Sequence, residues 1–187
     1  VLDPGHPDLP TDPASNTASV AVRSVLNRLA IRRGVNIAVK KGLPLSGGQG
    51  GSAASATAGA AAANWLADGG LLDHEVLECA LDGEAVASGR QADNLAPALL
   101  GGLVLVRSVD PLDVIRLPVP LGLHLAIVRP EQRLETRRAR GVLPVEVPRE
   151  VALRQAAHVA AMVAGACLDD LALFARGIED GIAEPVR

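Results

Sequence analysis

The sequence predicts an α+β protein, and three observations support that prediction. Apolar residues recur at helical spacing near the start of the chain and again over residues 149–167. Short apolar runs of strand length occur at residues 35–39, 103–106 and 123–128. A glycine-rich stretch lies between the first of these runs and an alanine-dense segment. Helices and strands therefore share the chain, and periodicity alone defines the fold no further.

The first predicted elements are a helix and a strand. Ser15 or Asn16 would cap the helix, which we expect to end near Gly34. Residues 35–39 alternate apolar and polar side chains, as a half-buried strand does. The inward face of the helix would carry the apolar residues that share one side: Val22, Val25, Leu26, Leu29 and Ala30.

The next elements follow in order along the chain. Ala53–Ala63 is strongly helix-forming and small enough to pack closely against a neighbour. A helix over about residues 72–80 and a strand at 103–106 come next. The proline-spaced stretch from Asp110 to Pro120 is typical of a domain boundary.

Beyond that stretch we expect a strand at residues 123–128 and an amphipathic helix at 149–167. Asp169 and Asp170 would cap a further helix. The inward residues of the amphipathic helix would be Ala152, Ala156, Val159, Ala160 and Val163.

The composition favours a folded cytoplasmic protein. The 187 residues are 49% hydrophobic, which is enough for a substantial core. A net charge of −3 with one Trp, one Phe and no Tyr gives no basis for nucleic-acid binding. The small-apolar run Ala53–Ala63 is far shorter than the roughly 20 residues of a membrane span, and we recognise no secretory signal. Cys79 and Cys167 are expected to be buried free thiols, and the scattered histidines lack metal-ligand spacing.

A cluster of glycines directly precedes the alanine-dense segment. Glycine adopts the backbone angles of a tight turn and leaves no side chain between the amides and an anion. The start of the following helix adds unpaired N–H groups and the positive end of its dipole. These features predict a phosphate-binding loop made of Pro44, Leu45, Ser46, Gly47, Gly48, Gln49, Gly50, Gly51, Ser52, Ala53 and Ala54.

Other interpretations of this loop fit less well. A Walker loop needs a lysine after its last glycine, but no lysine follows Lys41. A dinucleotide fingerprint would use Ala53 as its third small residue and Asp68 or Asp73 as the ribose ligand. However, no short strand separates the helix from Asp68. A flexible linker is disfavoured by the strand and helix patterns on either side.

The loop resembles the second motif of the GHMP kinases, the superfamily of galactokinase, homoserine kinase, mevalonate kinase and phosphomevalonate kinase. The family pattern is Pro, three variable residues, then Gly-Leu-Gly-Ser-Ser-Ala-Ala. It is matched by Pro44, Gly48, Gly50, Ser52, Ala53 and Ala54. Gln49 replaces a leucine or methionine, and Gly51 replaces the first serine. Because a serine of this loop helps hold Mg²⁺ in the family, the resemblance implies that role for Ser52.

Residues 84–102 resemble the homoserine kinases within that superfamily. There, a magnesium-binding glutamate precedes Ser-Gly, His-x-Asp-Asn-Val-Ala-Pro and a Gly-Gly pair, and here Gln91 replaces the histidine. The resemblance implies that Glu84 binds Mg²⁺ and that Asp93 and Asn94 are catalytic and substrate-binding residues. Asp93 is then the candidate proton acceptor. Without the family, an Asp-Asn pair is more often an Asx turn before a strand.

Residues 129–140 resemble the Thr-Lys-Glu-Ala-Arg motif of the same family. Thr136 and Arg140 match its first and last residues, which implies that they bind the amino-acid substrate. One helical turn would place both on one face, and an arginine suits a carboxylate. Residues 179–187 resemble Asp-x-Leu-His-x-Pro-Tyr-Arg without its histidine and tyrosine, which implies a second carboxylate ligand at Arg187.

The resemblance implies an ATP- and Mg²⁺-dependent kinase that converts L-homoserine to O-phospho-L-homoserine in threonine biosynthesis. It also implies an N-terminal domain like the second domain of ribosomal protein S5 at residues 1–109. A ferredoxin-like C-terminal domain would occupy residues 110–187. A homodimer is compatible with this assignment.

Two alternatives remain open. Another GHMP kinase, of the mevalonate type, would not need Thr136 and Arg140. A phosphate-binding module without catalytic activity would account for Gly51 and for the family motifs that are not found. Because the family's first and third motifs are not found in the sequence, we expect an internal fragment in which both domains are incomplete.

Overall fold

A computed structural model describes residues 1–45, 48–128 and 141–186. The chain divides into two compact units, Val1–Ile115 and Arg116–Arg187. Strands β1 (Leu103–Val109) and β2 (Leu112–Leu117) pair in a two-stranded sheet. The proline-spaced stretch therefore contributes a strand, and the predicted domain limit between residues 109 and 110 lies in the turn of this hairpin.

The first unit is built on three helices that pack on one another. They are α1 (Thr17–Arg28), α2 (Gly51–Leu66) and α3 (Asp73–Ala85). Gly59 permits close approach of α1 and α2, because a Cβ there would lie 2.7 Å from the Ala18 carbonyl oxygen. The short helix α4 (Leu95–Leu100) and the hairpin pack against the same core. That core includes Ala21, Val25, Ala56, Ala60, Leu77 and Leu81.

The start of α1 is as predicted, but its end is not. Asn16 is the N-cap, and its Oδ1 accepts a hydrogen bond from the Ser19 N–H at 3.2 Å. The helix ends at Arg28, well before Gly34, because Ala30 adopts a left-handed conformation with φ of 55°. Of the residues predicted to face inward, Val22 and Val25 are buried and Leu26 and Leu29 are half-buried, whereas Ala30 lies beyond the helix and is exposed.

The predicted strand at residues 35–39 is wrong. Those residues form only an isolated parallel bridge, between Asp3 and Ala38, because in the described chain their backbone pairs only with residues 2–3. The alanine-rich helix is confirmed as α2, and the strand after the glycine pair is confirmed as β1. The helix predicted at 72–80 runs from Asp73 on to Ala85.

The described part of the second unit contains helix α5 (Arg149–Leu168), helix α6 (Leu171–Arg176) and a 3₁₀ turn, Glu184–Val186. Asp170 caps α6 by accepting from the Leu173 N–H at 2.9 Å, as predicted. Gly165 packs directly against Phe174, so α6 lies on the last turn of α5.

The predicted inward face of α5 is wrong. Ala152, Ala156, Val159 and Ala160 are exposed and Val163 is half-buried, whereas the buried residues are Gly165 and Ala166. The reason is that α6 covers only the end of this helix among the described residues. Cys167 is likewise exposed, against expectation, while Cys79 is buried, and both thiols are free.

The strand expected at residues 123–128 is also wrong. No strand is assigned there within the described part of the chain. Leu125, Ile127 and Val128 are exposed, since no described segment pairs with them. An apolar run of strand length needs a partner before it becomes a strand.

By length and composition, α5 is the one described helix that could cross a membrane. Its mean hydropathy is 1.4 over an 18-residue stretch, of which 11% is buried. The run Ala53–Ala63 is too short to span a membrane, but this reasoning does not apply to the longer helix α5. A single helix of this kind is weak support for a membrane span, because core helices of soluble proteins pass the same test.

Candidate functional site

The glycine loop enters α2 through Gly50. This residue is the N-cap and is left-handed, with φ of 66° and ψ of 32°, and no side chain caps the helix there. A Cβ on Gly50 would lie 2.9 Å from the Oδ1 atom of Asn94. Two features therefore require glycine at this position: the left-handed backbone, and the closeness of Asn94, which leaves no room for a side chain. The uncapped start of α2 presents the amide groups that favour an anion.

A hydroxyl and a carboxylate meet beside this helix start. Ser52, in the first turn of α2, donates to Glu84 Oε1 at 2.8 Å. Glu84 lies in the last turn of α3 and is only 5% exposed. Ser88 also donates to that oxygen, while Glu84 Oε2 is buried without a hydrogen-bond partner in the described structure. A buried carboxylate oxygen is costly unless a proton donor or a cation reaches it. This pair therefore has the character of an incomplete cation site.

Lys41 occupies another side of the same helix turn. Its Nζ donates to the Gly51 carbonyl oxygen and to Ser55 Oγ, each at 2.6 Å. Burial lowers the pKa of Lys41, and the negative charge of Glu84 opposes that shift. The sequence reasoning assigned this lysine no role. Its position three residues before the loop's Pro44 gives no local signal of such a role.

The structure brings the Asp93–Asn94 pair to the loop. Asn94 directly precedes α4 and packs against Gly50. The Asn94 N–H donates to Asp93 Oδ1 at 3.0 Å, and both residues are exposed. Two motifs separated by some forty residues in sequence thus meet at one surface. The exposure of Asp93 leaves it accessible to a ligand.

An apolar cavity of about 410 Å³ lies beside the loop, within the first unit. It is bounded by α1, α2 and residues 33–43. Its lining includes Val22, Val39 and Ala58. Gly51 and Ser55 line it at the start of α2, so the cavity reaches the turn that presents the amide groups.

Several predicted site residues lie outside the described residues: Ser46, Gly47, Thr136, Arg140 and Arg187. Sequence reasoning missed two other residues that lie in the site, Ser55 and Ser88. Ser55 lies four residues after Gly51 in α2, and Ser88 lies four residues after Glu84, just beyond the end of α3. Spacing of four places side chains on the same helical face and was the available signal.

Three kinds of comparison with known proteins, by family model, by sequence and by structure, agree with one another. The model of the GHMP kinases N terminal domain matches residues 16–102. The homoserine kinase of Chlorobium phaeovibrioides is 44% identical over an alignment of 186 residues, and the match covers 96% of this chain and 58% of that protein. The homoserine kinase of Xylella fastidiosa is 43% identical over 180 residues, covering 96% of this chain and 55% of its own length.

A solved structure agrees with these relatives. The crystal structure of homoserine kinase from Cytophaga hutchinsonii superposes with a TM-score of 0.92 at 41% identity, covering 97% of this chain and 58% of that one. The chain therefore spans somewhat more than half the length of the relatives it matches. Residues 16–102 thus match the N-terminal domain of the GHMP kinases, in a chain that is similar to homoserine kinases over nearly its whole length.

Proposed function

We propose that this chain is the nucleotide-binding part of a kinase that uses ATP to phosphorylate the hydroxyl of L-homoserine. The product is O-phospho-L-homoserine, an intermediate of threonine biosynthesis. The observation that carries the proposal is the contact of Ser52 with Glu84, beside an uncapped, glycine-led helix start. The names of the relatives select homoserine among the substrates of the superfamily.

The triphosphate binds at the start of α2. The loop of residues 44–54 supplies backbone amide groups, and the helix dipole favours the negative charge. The adjoining apolar cavity takes the nucleobase, because it is apolar and opens onto the same helix turn. The position of the cavity directs the phosphates of the nucleotide towards Gly51 and Ser52.

The donor set beside Ser52 fits Mg²⁺. Hydroxyl and carboxylate oxygens are hard ligands, and magnesium sites commonly use one or two protein groups and retain several waters. The buried, unpartnered Oε2 of Glu84 is the atom that such an ion would satisfy. Ser52 and Glu84 would hold the ion, which would supply positive charge for the phosphates, and Ser88 would orient the carboxylate by donating to it.

Asp93 and Asn94 orient the acceptor hydroxyl. Asn94 lies against Gly50 of the loop, which supports a position for this pair close to the transferred phosphoryl group. Asp93 accepts the hydroxyl proton, although phosphoryl transfer relies mainly on positioning and charge stabilisation. Thr136, Arg140 and Arg187 bind the amino acid, with the arginines on its carboxylate.

The finer fold assignment also belongs to this proposal. We assign residues 1–109 to a domain like the second domain of ribosomal protein S5, and residues 110–187 to a ferredoxin-like domain. The family model and the structural neighbour support an α+β GHMP kinase fold. A cytoplasmic location is a further expectation, from the composition, and a homodimer is compatible with the assignment.

An ADP-release assay on the full-length gene product tests the proposal. The substrates are L-homoserine, mevalonate and galactose, each with ATP and Mg²⁺. Turnover that depends on homoserine alone supports the assignment. Turnover with mevalonate or galactose would assign the chain to another GHMP kinase, and ATP binding without turnover would indicate a phosphate-binding module.

A further inference from the structure

We propose that Lys41 is a positioning residue that fixes the first turn of α2 so that its amide groups and the Ser52 hydroxyl face the nucleotide phosphates. This inference rests on the proposed nucleotide site. It gives Lys41 a role in the reaction without contact between its side chain and the reacting atoms.

The contacts of Lys41 form a closed triangle. Its Nζ lies 2.6 Å from the Gly51 carbonyl oxygen and 2.6 Å from Ser55 Oγ. Ser55 Oγ in turn lies 3.1 Å from the same Gly51 carbonyl oxygen. The three groups therefore tie both ends of the first helical turn to the segment that precedes the loop.

The location of Lys41 carries two electrostatic costs. Its side chain is half-buried, which disfavours the ammonium form. It also stands at a helix N-terminus, where the dipole repels a cation. A lysine is retained in such a place when nearby negative charge offsets those costs, and Glu84 is one such charge. The phosphates of a bound nucleotide would be a second.

Lys41 and Glu84 hold neighbouring residues of one turn. Glu84 holds Ser52 through its hydroxyl, and Lys41 holds Gly51 through its carbonyl oxygen. The loop itself is rich in glycine and has no side chain at Gly48, Gly50 or Gly51 to restrain it. Restraint must therefore come from outside the loop, and Lys41 provides it at Gly51 and Ser55.

The test compares Lys41→Met and Lys41→Arg with Arg23→Met in the full-length gene product. Methionine keeps the length of the side chain but loses its charge and its donors. Arg23 is an exposed cation on α1, so its replacement controls for the loss of one positive charge. Hydrogen exchange reports loop order directly, and steady-state kinetics separate kcat from the KM values of ATP and homoserine.

We expect Lys41→Met to speed hydrogen exchange in peptides covering residues 44–56 while peptides from α1 and α3 keep the parent rate. Its kcat should fall by roughly tenfold or more, since small misplacements of a site are costly in rate. The homoserine KM should stay near the parent value. Lys41→Arg should recover part of the loss, and Arg23→Met should match the parent.

The inference is overturned if Lys41→Met leaves the loop exchange and kcat unchanged, or if exchange rises equally across the whole first unit. It is also overturned if Arg23→Met has the same effect. Should Lys41→Met fail to fold, Ser55→Ala removes one acceptor of the triangle and must produce the same local change in smaller measure. If the parent shows no homoserine turnover, the proposed function fails, and hydrogen exchange still decides the role of Lys41.

Discussion

Helices α2 and α5 are both long and rich in alanine, yet they are used differently. α2 has 16 residues and buries a continuous face: Ala53, Ala56, Thr57, Ala60 and Ala63. α5 has 20 residues and buries only Gly165 and Ala166. α2 lies against α1 and α3, whereas α5, in the described part of its unit, packs on the six-residue helix α6.

The difference shows what alanine content does and does not determine. Alanine favours the helical state wherever it occurs, and both helices form as predicted. Burial depends instead on neighbours that approach closely. In α2 close packing begins at Ala53, next to the residues of the proposed nucleotide site. We therefore expect packing, rather than composition, to determine the role proposed for α2.

The largest effect is expected from Gly50→Val at the start of α2. The valine would be strained by the left-handed backbone and would strike Asn94, so ATP affinity should fall on the order of 10²-fold. Calorimetric titration with ATP measures this, and circular dichroism should change little. Gly70→Val is the matched control, because Gly70 has a similar φ of 64° but no neighbour within 4 Å of its Cβ position. Equal losses of ATP affinity in both variants would remove the loop from the nucleotide site.

A smaller effect, confined to the amino acid, is expected from Arg140→Ala in the second unit. Losing the partner of a buried carboxylate costs about 2–5 kcal/mol, so kcat/KM for homoserine should fall roughly thirty-fold or more at constant ATP affinity. Lysine at this position should rescue only in part, because it lacks the planar fork of arginine.

Two controls make the Arg140 result specific. Arg138→Ala removes a neighbouring arginine that we expect to be solvated, and it should leave kcat/KM unchanged. The substrate 3-amino-1-propanol is homoserine without its carboxylate. If Arg140→Ala penalised this compound as heavily as homoserine, the arginine would not bind the carboxylate.

Glu84→Gln should lower kcat by about tenfold or more, the loss expected when about 1.4 kcal/mol of charge stabilisation disappears. The Mg²⁺ concentration needed for half-maximal rate should rise, because an amide is a weaker ligand than a carboxylate. Glu78→Gln on the same helix is the control, since Glu78 forms an exposed ion pair with Arg28, at 2.6 Å. A raised homoserine KM with unchanged Mg²⁺ dependence would assign Glu84 to the substrate instead.

Local signals made part of the site predictable from the sequence. A run of glycines before helix-forming residues defined the loop, and an asparagine before an apolar repeat defined the cap of α1. The motif resemblance singled out Ser52 and Glu84, and the structure brings them within hydrogen-bond distance. Lys41 went unrecognised because a lysine before a glycine has no local signature; its partners become neighbours only when the loop folds back.

Three of the errors share one physical cause. Two segments, residues 35–39 and 123–128, have the composition of strands, and α5 has an apolar face. A strand forms only where another segment pairs with it, and an apolar helix face is buried only where another segment packs on it. Residues 35–39 find a single bridge, and no described segment pairs with residues 123–128. A single sequence carries no direct record of which segments meet.

The smallest effect tests the contrast between the two helices directly, through stability. In α2, Gly59→Ala would place a Cβ 2.7 Å from the Ala18 carbonyl oxygen and 3.1 Å from its Cα, and backbone atoms cannot move aside alone. Overpacking of this kind costs about 1–3 kcal/mol, of which the higher helix propensity of alanine offsets about 1 kcal/mol. In α5, Ala157→Leu enlarges an exposed side chain and should change the free energy of unfolding by no more than about 0.5 kcal/mol. Urea denaturation of the 187-residue chain measures both. If Ala157→Leu destabilised the chain as much as Gly59→Ala, the exposed face of α5 would be packed in solution. The two helices would then differ in which segments pack on them, and not in how many do.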